Sequence, residues 1–240
     1  MKLKVILIFF ILKCFSFSEI LTVPESYSTI QLAINASSDL DTILVSPGVY
    51  QENINYNGRN VVITSLYVIA QDSSLISETI IDGGENGSVV IFNNDETEDA
   101  ILQGFTIQNG DGYYADPDGN GTFYTYGGGI YCEGSDPVIR DCIIQDNIAN
   151  EGGGGGIFCY NASPRFYGCI INGNETDDVG GGLYSRVSSS PEFYDCTFFE
   201  NIAEYGAGCY LRNESSPIMQ NVIFNQNTAN NSGGGITLDA

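Results

Sequence analysis

The residues of this chain best suited to chemistry are carboxylates, amides and aromatic rings. Asp116, Asp118 and Asn120 alternate along Asp116-Pro117-Asp118-Gly119-Asn120-Gly121, matching the opening D-x-[DN]-x-[DN]-G of a calcium loop. Alternating oxygen ligands followed by a glycine at the bend suit Ca2+, so these three are candidate metal ligands and Ca2+ is the candidate cofactor. Gly127 stands where such a loop needs its bidentate Glu, and the same composition also makes an ordinary turn. Asp111 with Asp116, and Asp177 with Asp178, are pairs of the kind used in acid–base catalysis. Among 30 Asp and Glu such pairs arise without function, and no catalytic residue is assigned. With no His, the chain has no His-based triad, no His-ligated zinc and none of the commonest general base. Tyr131, Phe158, Tyr184 and Tyr210 recur at spacings of 27, 26 and 26. Strand alternation turns them outward, where a ladder of rings could stack on a glycan; the alternative is a ladder that only stabilises its own sheet.

That spacing belongs to the whole second half of the chain. Gly127-Gly128-Gly129-Ile130-Tyr131-Cys132 returns as Gly154-Gly155-Gly156-Ile157-Phe158-Cys159, then at Gly180, Gly206 and Gly233. Pro137, Pro164, Pro191 and Pro217 keep the same step, as do Cys142, Cys169, Cys196 and Val222. So do Ile144, Ile171, Phe198 and Phe224, and the Asn column Asn147, Asn174, Asn201 and Asn227. A period of 26 or 27 residues, cut by Gly, Pro and Asn and without helical periodicity, predicts coils of short strands joined by turns. One coil cannot bury its own apolar edge, so coils must stack, at about 4.8 Å each. The Cys and Ile/Phe columns are read as inward-facing, and the six Cys beyond Cys14 as small buried apolar residues rather than a disulfide framework. The Asn column is assigned to left-handed turn positions with amides bonding from coil to coil.

The fold class predicted is all-β, a single-stranded parallel solenoid with a short N-terminal capping helix. Residues 1–18 are read as a signal peptide, with Lys2 and Lys4 before an apolar run and no span long enough for a membrane. Residues 19–58 are expected to hold the cap and first coil, with Ser28 and Gln31 as a capping box and Ile30, Ala33 and Ile34 as the buried helix face. Residues 59–126 read as irregular coils with an inserted loop near 111–126; Ile101–Asn109 is aligned so that Gly104 takes the Cys position and Asn109 the Asn position. Residues 127–240 are the regular repeats. They stop one strand into a repeat, and a longer parent protein is expected. Loss of Lys2, Lys4 and Lys13 with the leader takes the net charge from −22 to −25, which excludes nucleic acid and anionic lipid as partners.

The opening Tyr27-Ser28-Thr29-Ile30-Gln31, with Asp41-Thr42-Ile43-Leu44-Val45-Ser46-Pro47-Gly48-Val49-Tyr50, resembles that of pectin-lyase-like β-helix proteins, pectin methylesterases among them. The Gly-Gly-Gly-Ile units and Phe198-Phe199-Glu200-Asn201 are similar to the repeats of polymorphic outer-membrane proteins. The resemblance implies a right-handed parallel β-helix, secreted or at the cell surface. The family's Gly-His-Gly and basic lyase motifs are missing, so its catalytic residues do not carry over. The expected function is therefore non-catalytic: a monomer binding a polysaccharide or cell-surface glycan, or adhering to a host or neighbouring cell, along the solenoid wall. The alternative is a polysaccharide lyase, hydrolase or pectin esterase.

Overall fold

The computed structural model describes residues 18–239; the expected signal segment therefore lies outside the described residues, save Ser18. Among the described residues, each coil contributes one strand to each of three parallel sheets of eight, seven and seven strands, the extra strand of the first being the N-terminal Ile20–Val23. In one regular coil these are Val138–Arg140 in the first sheet, Ile143–Gln145 in the second and Ile157–Tyr160 in the third. Register is kept residue for residue, as in Ile130↔Ile157↔Leu183↔Cys209. Each inward column then stacks like on like: Phe166 lies 4.7 Å from Phe193 and Phe198 lies 4.9 Å from Phe224. One core cluster runs from Leu21 to Leu211, so the boundaries at 58 and 126 mark changes in coil regularity within one core. No helix among the described residues is long and apolar enough to cross a membrane.

The period is fixed by the corners. Between first and second sheets the chain passes through a left-handed residue in each of the last five coils: Gly104, Asp141, Gly168, Asp195 and Asn221, with φ of 78°, 47°, 61°, 55° and 55°. After the second sheet the left-handed residues are Asn109, Asp146, Gly173, Glu200 and Gln226. The Asn column itself is thus not left-handed; the turn residue is the one before it. Register also corrects the alignment of the earlier coil. Thr106–Gln108 pairs with Ile143–Gln145, so Phe105 and Gly110, not Gly104 and Asn109, stand at the Cys142 and Asn147 positions. Gly104 is a glycine because it occupies a corner.

Asn147, Asn174 and Asn201 are buried, and their amides bond along the stack as expected. Asn147 Nδ2 donates to Asn174 Oδ1 at 3.0 Å, Asn174 Nδ2 to Asn201 Oδ1 at 3.0 Å, and Asn201 Nδ2 to Asn227 Oδ1 at 2.9 Å. Each amide also donates to a carbonyl of the preceding coil, for example Ile171 O at 2.9 Å. Without these bonds the tight corner would bury unpaired backbone groups. The second glycine of each Gly run answers a different need: a Cβ at Gly155 would meet Glu175 O at 2.4 Å. The six described cysteines are buried free thiols. Cys142, Cys169 and Cys196 donate to the carbonyls two residues earlier, at 3.1, 3.4 and 3.3 Å.

At the N-terminal end the capping helix is Ile30–Ala36, with Ile30, Ala33 and Ile34 buried as expected. Its N-cap is Thr29 rather than Ser28, and the Glu52 carboxylate accepts from the Ile30 and Gln31 amides at 2.9 Å each. The first strand is Ile20–Val23, paired in parallel with Thr42–Val45. Two short helices, Tyr67–Ala70 and Ser74–Glu78, bridge the first sheet to the second in one coil; the repeat gave no sign of them.

Candidate functional site

The segment 111–126, which breaks the repeat, folds as a hairpin: Tyr113–Ala115 pairs antiparallel with Tyr124–Tyr126. Its second strand pairs in parallel with Glu151–Gly153 of the following coil, so the insertion joins the solenoid through backbone hydrogen bonds. Alternation divides its side chains between two faces. Tyr113, Ala115 and Tyr126 turn toward the third sheet and form a satellite apolar cluster with Ile91, Tyr131, Phe158 and Tyr184. Tyr113 lies 4.8 Å from Tyr131, and Tyr126 stacks on Phe158 at 4.5 Å and 28°.

Of the two readings of the aromatic column, this packing fits rings that stabilise their own sheet and goes against the glycan ladder. Tyr131, Phe158 and Tyr184 do point away from the main core, but the hairpin buries them. The Tyr131 hydroxyl donates to Glu133 at 2.7 Å, and burial pushes that phenol above its ordinary range. Only Tyr210, beyond the hairpin, is left half-buried; its hydroxyl bonds Asp239 at 2.9 Å. The first three rings are adhesive between layers and offer no free face to a sugar.

The calcium candidates do not converge either. Asp116 accepts from the Asn120 and Gly121 amides at 3.2 and 2.7 Å, and Asn120 Oδ1 accepts from the Thr122 amide at 2.8 Å, which is turn geometry. Asp118 is swung away into an ion pair in which both its carboxylate oxygens accept from Arg186 Nη2, and it also accepts from the Tyr160 hydroxyl at 3.3 Å. Arg186 is buried, its guanidinium carbon 5.4 Å from the Tyr160 ring centroid and 5.9 Å from that of Tyr184. A carboxylate committed to a buried arginine cannot also serve a cation, so these residues do not fit a calcium site. No cluster of three acidic or thiol side chains converges as a metal site among the described residues.

The hairpin's outer face carries what the sequence reading missed. Tyr114 stacks on Phe123 with centroids 5.4 Å apart and planes 25° from parallel. The two side chains are 68% and 49% exposed, whereas Tyr124 lies on the other face, paired with Ala115 and edge-on to Tyr126 at 6.3 Å. Exposed rings are costly to leave in water, and these stand on an insertion fixed to a rigid scaffold. The signal was present as composition: residues 113–126 contain Tyr113, Tyr114, Phe123, Tyr124 and Tyr126. What the sequence withheld was which of them pack down and which stand free. Elsewhere on this flank, Asp178 is half-buried, and burial, followed by the charge of Asp177, raises its carboxyl pKa against the opposing pull of Arg212.

Compared with known proteins, residues 68–240 match the family described as "right handed beta helix region". A search of curated proteins returned no match. Similar solved structures include a pectin methylesterase in complex with a hexasaccharide, at 14% identity and TM-score 0.49, covering 87% of this chain and 66% of that one. The chain thus spans just under two thirds of that protein's length. A pectin methylesterase from carrot is similar at 13% identity and TM-score 0.46, covering 91% and 87% of the two chains. PemA, a pectin methylesterase from Erwinia chrysanthemi, is similar at 10% identity and TM-score 0.39, covering 85% and 81%.

Proposed function

The chain belongs to the right-handed β-helix family, and from that premise we propose that its solenoid is a rigid, non-catalytic scaffold presenting a glycan-binding platform on the inserted hairpin 111–126. The observation that carries this reading is the stacked, exposed Tyr114–Phe123 pair. Aromatic faces bind the apolar faces of sugar rings, and tyrosine adds a hydroxyl for the sugar's polar edge. Preorganisation supports the role. The hairpin is held by strand pairing, by its buried aromatic underside and by the Asp118–Arg186 clasp, so little order need be gained on binding. The expected leader at 1–18 fits an extracellular setting for such a role. The test is a glycan array probed with residues 19–240 and with the Tyr114→Ala/Phe123→Ala variant. Binding by the parent protein and its loss in the folded variant support the platform; equal binding by both removes it.

A second reading, a polysaccharide-degrading enzyme, is favoured by Asp178, whose raised pKa suits a proton donor. It is tested by incubating the protein with pectins, polygalacturonate, alginate and neutral glycans and assaying unsaturated ends, reducing ends and methanol. Product that disappears in Asp178→Asn would establish it.

A further inference from the structure

We infer that the platform takes an uncharged glycan and rejects uronate polymers, an inference that rests on the platform reading above. The argument is the charge around the rings. The segment carrying them contributes Asp111 and Asp116, and the strand paired to it opens with exposed Glu151, whose amide is bonded by Asp177 at 2.8 Å. Glu133 lies on the outer side of the covered sheet, bonded by Tyr131. Both cations on this flank are already engaged: Arg186 by Asp118, and Arg212 by Asp239 at 3.3 Å. Arg140 and Arg165 belong to strands of the first sheet, a different wall, and Arg59 lies in the turn between Ile54–Asn55 and Val62–Ser65 of the N-terminal coils.

A uronate carboxylate at the platform would find no free guanidinium and several like charges, and it would lose hydration on contact without a partner. A neutral sugar meets the opposite situation. Its apolar ring face lies on Tyr114 or Phe123, and its hydroxyls, which are donors, find carboxylate acceptors at the rim. The same acidic rim that repels one class of polysaccharide is complementary to the other.

The experiment is calorimetric titration of residues 19–240 with neutral oligosaccharides (cello-, xylo- and manno-oligomers) and with oligogalacturonate and oligoalginate, at low and at high salt. At least one neutral oligomer is expected to bind, with an affinity that salt leaves unchanged and that falls at least tenfold in Tyr114→Ala/Phe123→Ala. The uronates are expected to bind at least tenfold more weakly and to gain affinity as salt screens the repulsion. Uronate binding equal to or tighter than neutral binding, lost in the double variant, overturns this inference and leaves the platform standing. Absence of binding by either class, or binding indifferent to the double variant, overturns the platform itself and the inference with it.

Discussion

Replacing Asn201 with Ala should unfold the solenoid at a much lower temperature, although no apolar contact of consequence is removed. The Asn201 side chain makes four hydrogen bonds, three of them buried. Its Nδ2 donates to Ile171 O and to Asn227 Oδ1, both at 2.9 Å. Its Oδ1 accepts from the Asn174 amide at 3.1 Å and from Asn174 Nδ2 at 3.0 Å. Truncation strips the side-chain acceptor from the buried Asn174 amide, while Asn174 Nδ2 keeps Ile144 O and Asn227 Oδ1 keeps the Asn201 amide. One orphaned buried amide costs about 1–3 kcal/mol and three lost bonds about 0.5–1.5 kcal/mol each, roughly 3–7 kcal/mol together. At about 2–4 °C per kcal/mol for a chain of this size, Tm should fall by about 6–28 °C. Asn225→Ala, exposed on the second sheet, is the control, with an expected cost within about 0.5 kcal/mol. Thermal unfolding followed by circular dichroism reads both. An Asn201→Ala midpoint no lower than that of the control would refute the ladder as a structural necessity.

Gly155→Ala should prevent folding or cost several kcal/mol, since its Cβ would meet Glu175 O at 2.4 Å, whereas Gly134→Asn, with open space and φ of 60°, should be tolerated; soluble yield and denaturant midpoints separate the two. Stability should fall above about pH 9. Burial pushes the Cys142 thiol from 9.0 up to about 12 and the Tyr126 phenol from 10.0 up to about 12. Both are raised in the folded state, so their contribution is whole below the unfolded values and is lost as pH climbs from there toward 12, by about 1.4 kcal/mol per unit per group. Urea midpoints at neutral and alkaline pH measure this, and an unchanged midpoint contradicts it. The six buried thiols should be inert to a thiol reagent in the native state and all react on unfolding. Asp118→Ala leaves Arg186 buried beneath Tyr160 and Tyr184 without its carboxylate, and hydrogen exchange should speed up in peptides covering 113–126 while the main core stays protected.

The parts of this molecule that obey the repeat were legible in the sequence. A column of like residues at one step is a column in space when coils stack, so the buried thiols, the phenylalanines and the amide ladder follow from spacing alone. Single-residue misplacements arose where two adjacent corner residues are both suited to turns. Gly104 and Asn109 look like members of the Cys and Asn columns, and only backbone pairing shows that they are the left-handed residues beside them. The capping helix was legible as an apolar face, but Thr29 and Ser28 are chemically alike and the choice was made by Glu52, which arrives from a later strand. The outer face of the third sheet was the least legible. Alternation distinguishes the inside of a sheet from its outside, but it does not register a further layer laid upon that outside. Alternation therefore turns Tyr131, Phe158 and Tyr184 outward, and it is Tyr113 and Tyr126 from a non-repeating segment that cover them. The spacing of Asp118 suits a calcium ligand because nothing local shows its partner, Arg186, which is far away in sequence and two coils further along the stack.

The most direct test of the account is hydrogen-exchange mass spectrometry of residues 19–240 with and without a glycan drawn from the array. Added protection confined to peptides spanning 111–126 is the result the platform predicts. Protection along the outer walls of the first or second sheet, or none at the hairpin under saturating ligand, would contradict it.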